Sequence, residues 1–165
     1  MRLLIILFSI VINANALDVT EIFSFNCGHC YSVEPQVEQL AQDPRIKIIS
    51  IPLYDQSNIN HVGAISSYFA AKSLGKEWAF RKYYFNAIFA VGYEAYSPAA
   101  LKYTLTKIGL NIPSFYKLAS SREIIEQMNN AVNWAIKYNV SGTPTFIVNG
   151  RFYEGENALQ EIFSK

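Results

Sequence analysis

Phe23-Ser24-Phe25-Asn26-Cys27-Gly28-His29-Cys30-Tyr31 holds both cysteines of the chain, two residues apart. The run before it, Val19 to Phe25, is rich in β-branched and aromatic residues and predicts a buried strand. A helix is predicted behind it, from about Gly28 to Gln42, with Val33, Val37 and Leu40 on one face and Asp43-Pro44 as its stop. Cys27 therefore falls at a helix N-terminus, where unpaired N–H groups and the positive end of the helix dipole favour a thiolate. A second thiol one turn on can open or close a disulfide with it, the arrangement that thiol–disulfide exchange requires.

Two other uses of the pair are weaker. A structural disulfide across so short a loop removes little unfolded-state entropy. A zinc site needs four ligands, and beyond the cysteines only His29 and His61 remain, without metal-ligand spacing. No metal or cofactor is expected.

Working outward, Ile46 to Ile51 predicts a second strand, parallel to the first if the helix crosses between them in a right-handed βαβ unit. Pro35 falls inside that helix, where it cannot donate to the preceding turn. Residues 57–120 change character, with helical apolar spacing over His61–Ser73, Lys76–Val91 and Pro98–Ile108, and Ser97-Pro98 as a helix start. His61 is expected to start or cap a helix. The aromatic stripes Tyr83-Tyr84-Phe85, Phe89 and Phe115-Tyr116 are expected in the helix core. Ser120 with Glu123 offers a capping box for a helix running to about Tyr138. Thr145–Val148 and Arg151–Tyr153 flank Asn149-Gly150, a hairpin signal, and a last helix is expected from Glu156. The order is βαβ, helical insertion, αββα.

The first sixteen residues read as a cleavable signal peptide: a positive start at Arg2, ten apolar residues from Leu3 to Ile12, and Ala14-Asn15-Ala16 before the cut. Ten apolar residues are too few for a bilayer span of about twenty. The 149 residues from Leu17 on would enter an oxidising compartment, read as the bacterial periplasm. Removing Arg2 from the 14 Lys and Arg leaves 13, against 13 Asp and Glu, so nothing attracts nucleic acid or an anionic membrane. The 51% hydrophobic and 15% aromatic content excludes a disordered chain. The expected organisation is a signal peptide over 1–16, a thioredoxin-like domain over 17–56 and 121–165, and a helical insertion over 57–120.

The Cys27–Cys30 motif, the helical insertion, and Val140-Ser141-Gly142-Thr143-Pro144-Thr145-Phe146-Ile147-Val148-Asn149-Gly150 together resemble the DsbA family of the thioredoxin fold, over residues 18 to 165. The resemblance implies an α/β thioredoxin-like fold with an inserted helical subdomain. It makes Cys27 the attacking thiolate and Cys30 the buried resolving thiol. The backbone amides near Cys30 and the His29 side chain become the candidates for stabilising that thiolate. Thr143-Pro144 resembles the cis-proline loop, whose Thr143 backbone would pair with an extended substrate strand.

Glu21, a carboxylate within an apolar strand, matches the family's acidic residue under the active site and would accept a proton from Cys30. The residue-level alternative is a solvated edge. Only Leu17 to Thr20 precede Glu21, too few for the extra N-terminal strand of larger family members.

The implied activity is a disulfide oxidase acting as a monomer on reduced or unfolded exported proteins and reoxidised by a membrane partner similar to DsbB. Gly-His between the cysteines is the dipeptide of protein disulfide isomerase, and Thr before the cis-proline occurs in isomerases and reductases. A reductase or isomerase of the same fold is therefore the alternative within enzymes. A secreted peptide-binding chaperone or metal carrier is the alternative outside them.

Overall fold

The computed structural model describes residues 16–164. The signal-peptide expectation lies outside the described residues except for Ala16. The elements run β1 (Leu17–Phe23), α1 (Gly28–Ala41), β2 (Ile46–Pro52), α2 (Ile59–Ser73), α3 (Glu77–Phe89), α4 (Pro98–Lys107), α5 (Ile112–Ala119), α6 (Arg122–Lys137), β3 (Thr145–Val148), β4 (Arg151–Glu154) and α7 (Ala158–Phe163). Among the described residues, no helix is long and apolar enough to cross a membrane.

The four strands form one sheet in the order β2-β1-β3-β4. β1 and β2 are parallel, from Leu17 opposite Ile46 to Phe23 opposite Pro52, with α1 crossing between them. β3 runs antiparallel to both β1 and β4. Asn149 and Gly150 adopt φ +50° and +76°, the left-handed pair that a two-residue hairpin needs. This is a thioredoxin-like α/β fold, with α2 to α5 lying between β2 and α6.

Alternation along β1 assigns its face towards α1. Val19 packs in a small core with Val33 and Val37 of α1, Phe146 and Val148 of β3, and Ala158 and Leu159 of α7. Phe23 enters a larger aromatic core with Phe25, Tyr68, Phe80, Tyr84 and Phe85. Phe25 lies beyond the strand, which ends two residues earlier than expected, yet it is wholly buried, with its ring 4.7 Å from Tyr84. The loop carrying Cys27 is thus anchored from below by a ring that reaches into the helical layer.

Several local expectations are corrected. α5 was not anticipated; Asn111 caps it and Pro113 lies in its first turn. The Ser120–Glu123 capping box does not form. Ser121 caps α6 by accepting from the Ile124 N–H, while Ser120 ends α5. His61 is neither start nor cap of α2, which Asn58 caps; its ring stacks on Tyr96 at 3.8 Å. Phe89 and Tyr116 are 38% and 44% exposed, so these two aromatics are not core. α7 begins at Ala158, leaving residues 155–157 as a turn beside the site.

Candidate active site

Cys27 is the N-cap residue of α1, with extended backbone (φ −103°, ψ 112°). Its sulfur stands where a capping oxygen normally would, and the Cys30 backbone N–H donates to it at 3.1 Å. The Cys27 thiol in turn donates to the Thr143 carbonyl at 3.3 Å. Cys27 is half-buried and Cys30 fully buried, both as free thiols. Burial, then the hydrogen bond with Cys27, pushes the Cys30 thiol well above its ordinary range. One sulfur is accessible and held in a hydrogen-bond donor's field, while the other is covered and keeps its proton.

The Thr143–Pro144 peptide is cis and lies beside this sulfur. Its position is fixed from behind: Gly155 N–H donates to the Pro144 carbonyl at 2.9 Å, and Thr145 Oγ1 donates to the Gly142 carbonyl at 2.8 Å.

His29 points outward. Its Nδ1 lies 2.9 Å from Glu156 Oε2, and both side chains are more than half exposed. The sulfur of Cys27 has Cys30 N and Thr143 O as its hydrogen-bond partners, and the imidazole is not one of them. Residue Glu156 went unread in the sequence as part of the site, because 127 positions separate it from His29.

Glu21 is fully buried, which removes the solvated-edge alternative. Its carboxylate accepts from Arg81 of α3 through both oxygens, at 2.7 and 2.8 Å, and from Ser50 Oγ at 2.7 Å. Arg81 also grips Glu34 of α1, its Nε donating to Oε1 at 2.8 Å. One guanidinium is thus shared by two carboxylates. Burial alone would lower Arg81, but Glu21 and Glu34 hold it well above its usual value. Glu34 is pushed up to about 7 by burial, against the pull of Arg81 and with the charge of Glu21 adding to the rise. Glu34 sits one helical turn beyond Cys30 on the buried side of α1, so this cluster underlies the resolving thiol.

Arg81 was missed from sequence. Its signal was indirect: a carboxylate inside an apolar strand requires a cation, and Arg81 supplies it from 60 residues away. Phe89 adds an apolar rim. It stacks on Tyr31 with ring centres 5.0 Å apart, and a Cβ placed at Gly28 would lie 3.8 Å from its ring. Among the described residues, no three His, Cys, Asp or Glu side chains converge as metal ligands would.

A family model described as a DSBA-like thioredoxin domain matches residues 18–164. The chain belongs to this family. The thiol:disulfide interchange protein DsbA of Azotobacter vinelandii is 27% identical over 140 residues, 82% of this chain and 64% of that protein. DsbA of Pseudomonas aeruginosa PAO1 is 28% identical over the same length and shares. The chain therefore spans less than two thirds of these relatives' own length. The crystal structure of Pseudomonas aeruginosa DsbA superposes with a TM-score of 0.73 at 22% identity, covering 93% of this chain and 83% of that one. That likeness shows the fold. Within this DsbA-like fold the cis-proline loop meets the dithiol at Cys27, and the buried Glu21 carboxylate lies in the cluster with Arg81 and Glu34.

Proposed function

We propose that this chain is a thiol:disulfide oxidoreductase that donates a disulfide to exported proteins. The observation that carries the reading is the Cys27–Cys30 pair. An accessible sulfur caps α1 and accepts the Cys30 N–H, with a buried thiol behind it and a cis-proline loop at its side. A static binding module has no use for two thiols held in such different surroundings.

In this reading a substrate thiolate attacks Cys27 Sγ of the oxidised protein. The Cys27–Cys30 bond breaks, Cys30 leaves with the electron pair and takes up a proton, and a mixed disulfide remains. A second substrate thiolate then attacks the substrate sulfur of that bond and Cys27 leaves. Two substrate thiols have become a disulfide, and two electrons now reside on the protein.

The disulfide form has no proton on Cys27, which frees the Thr143 carbonyl to accept from an extended substrate strand. Pro144 offers that strand no N–H. Glu21 handles the proton that Cys30 gains and loses, within the cluster it shares with Arg81 and Glu34. A membrane partner similar to DsbB would restore the disulfide, the working compartment is the periplasm, and the protein acts as a monomer. The helical segment over 57–120 serves as an insertion that supplies Arg81 and Phe89 to the site.

Oxidative refolding of a reduced protein and insulin reduction, run side by side, test the chemistry. Alkylation trapping of Cys27 and Cys30 in cells tests its direction: a mostly disulfide pair supports the oxidase. A mostly dithiol pair supports the reductase or isomerase that Gly-His and Thr143 favour. Failure in both assays leaves a peptide-binding or metal-carrying module.

A further inference from the structure

The active-site sulfur sits in a closed circuit of contacts whose last link is Glu156. Cys27 Sγ donates to the Thr143 carbonyl, and the adjoining Pro144 carbonyl accepts from Gly155 N–H. Glu156, the next residue, meets His29 Nδ1, and His29 leads back through Gly28 to Cys27. The turn that carries Glu156 is fixed on both sides. Gly155 adopts φ +82°, a left-handed conformation that favours glycine, and its carbonyl accepts from Ala158 N–H at 3.2 Å.

The imidazole of His29 is the one basic side chain within the Cys27–Cys30 motif, and it has two possible anionic partners. One is a Cys27 thiolate, the other the Glu156 carboxylate. In the dithiol form it is with Glu156, while the sulfur makes do with Cys30 N–H and Thr143 O. The other charged group on the circuit is Glu154, which accepts from Ser141 Oγ at 3.3 Å. The geometry points to Glu156 as a positioning residue that competes with Cys27 for His29 and so moderates the oxidising strength of the disulfide. The inference rests on the oxidoreductase reading above and extends it to a residue outside both motifs.

Two effects of Glu156 act in the same direction. Its negative charge near the sulfur opposes a second negative charge there. Its grip on His29 keeps the imidazole turned away from the sulfur. Removing the carboxylate relieves both, so the thiolate and hence the reduced form become more favourable. The pair is solvent-exposed, so the effect is moderate, of the size found for surface ion pairs.

The test is the equilibrium with glutathione, in which the protein disulfide opens to two thiols as two glutathione thiols become one glutathione disulfide. Glu156→Gln keeps the shape and removes the charge. It is expected to shift that equilibrium about 1.5- to 5-fold towards the protein dithiol. The rise of thiolate absorbance near 240 nm should move to lower pH by about 0.2–0.7 of a unit. In a His29→Asn background the same change should have less than half that effect.

No shift, a shift towards the disulfide, or an equal shift with and without His29 overturns the proposal. Both readouts are of the dithiol itself. A wild-type protein inactive towards insulin and reduced substrates would sink the oxidoreductase reading, while the Glu156 shift would still be scored.

Discussion

Arg81 meets Glu21 through two parallel hydrogen bonds, 2.7 and 2.8 Å, between side chains that have no exposure to solvent. The contact joins α3 to the central strand β1 and leaves Arg81 free to hold Glu34 of α1 as well. Its guanidinium also lies over the rings of Phe23 and Trp78, at 4.1 and 4.8 Å. One side chain thus ties the helical layer, the sheet and the active-site helix together. Only an arginine can do this, because its planar fork presents five donors in fixed directions.

Arg81→Met is expected to destabilise the fold by about 3–5 kcal/mol, since it strands two buried carboxylates without a cation. Thermal unfolding should show a drop of about 10 °C or more. Removing all three charges together, as Glu21→Leu, Glu34→Leu and Arg81→Met, should recover most of the loss, because no uncompensated charge then remains buried. A triple variant as unstable as Arg81→Met would show that packing, and not charge balance, sets the cost.

Glu34 gives the protein a pH-dependent stability with a definite sign. Its folded value is raised from 4.5 to about 7, chiefly by burial. Between those values the folded state holds more protons than the unfolded one, so stability is fully present below about 4.5 and falls as pH rises through 7. The contribution is on the order of 3 kcal/mol. Urea unfolding of wild type from pH 4.5 to 7.5 should show this decline, and Glu34→Gln should flatten it while leaving Arg81 matched one-to-one with Glu21. A profile unchanged by Glu34→Gln would assign the slope to another group.

What the sequence disclosed and what it withheld follow from range. β1, α1, β2 and the Asn149-Gly150 hairpin were legible because period, caps and turn residues act within a few positions. So was the placement of Cys27 at a helix start beside Cys30. α5 was missed because eight residues give too short a period to read, although Asn111 and Pro113 marked its start. Arg81 lies in Glu77-Trp78-Ala79-Phe80-Arg81-Lys82, where a charge reads as the wet face of a helix; its burial depends on Glu21, sixty positions earlier. His29 was expected to stabilise the Cys27 thiolate, whereas the partner it meets, Glu156, comes from a turn near the end of the chain.

Gly28 can be replaced by proline without strain. It occupies the first position of α1, where proline is favoured because its N–H has no partner in the helix. Cys27 before it already has the extended backbone that a following proline demands. The nearest atom to an added Cβ is in the Phe89 ring, at an ordinary 3.8 Å. Gly28→Pro should therefore stabilise both redox forms by about 0.4–1 kcal/mol through the unfolded state. Calorimetry of the two forms checks the gain, and no gain in either would show that the ring does not fit at this position.

The division of labour between the sulfurs predicts which covalent complexes can be trapped. Exchange passes through a mixed disulfide on Cys27, resolved when Cys30 or a second substrate thiol attacks. Cys30→Ala removes the internal resolving thiol. Pro144→Thr alters the loop that shares a hydrogen bond with the Cys27 sulfur through Thr143. Either variant should accumulate disulfide-linked complexes with cysteine-containing exported proteins, visible on non-reducing gels and lost on reduction. Cys27→Ala should accumulate at least tenfold fewer. Its remaining thiol is fully buried, and burial holds the proton on it, so the nucleophilic thiolate is scarce. Equal trapping by Cys27→Ala and Cys30→Ala would reverse the assignment of nucleophile and resolver. Trapping by none of the three would mean that the pair does not turn over on protein substrates, and that the cis-proline loop serves binding alone.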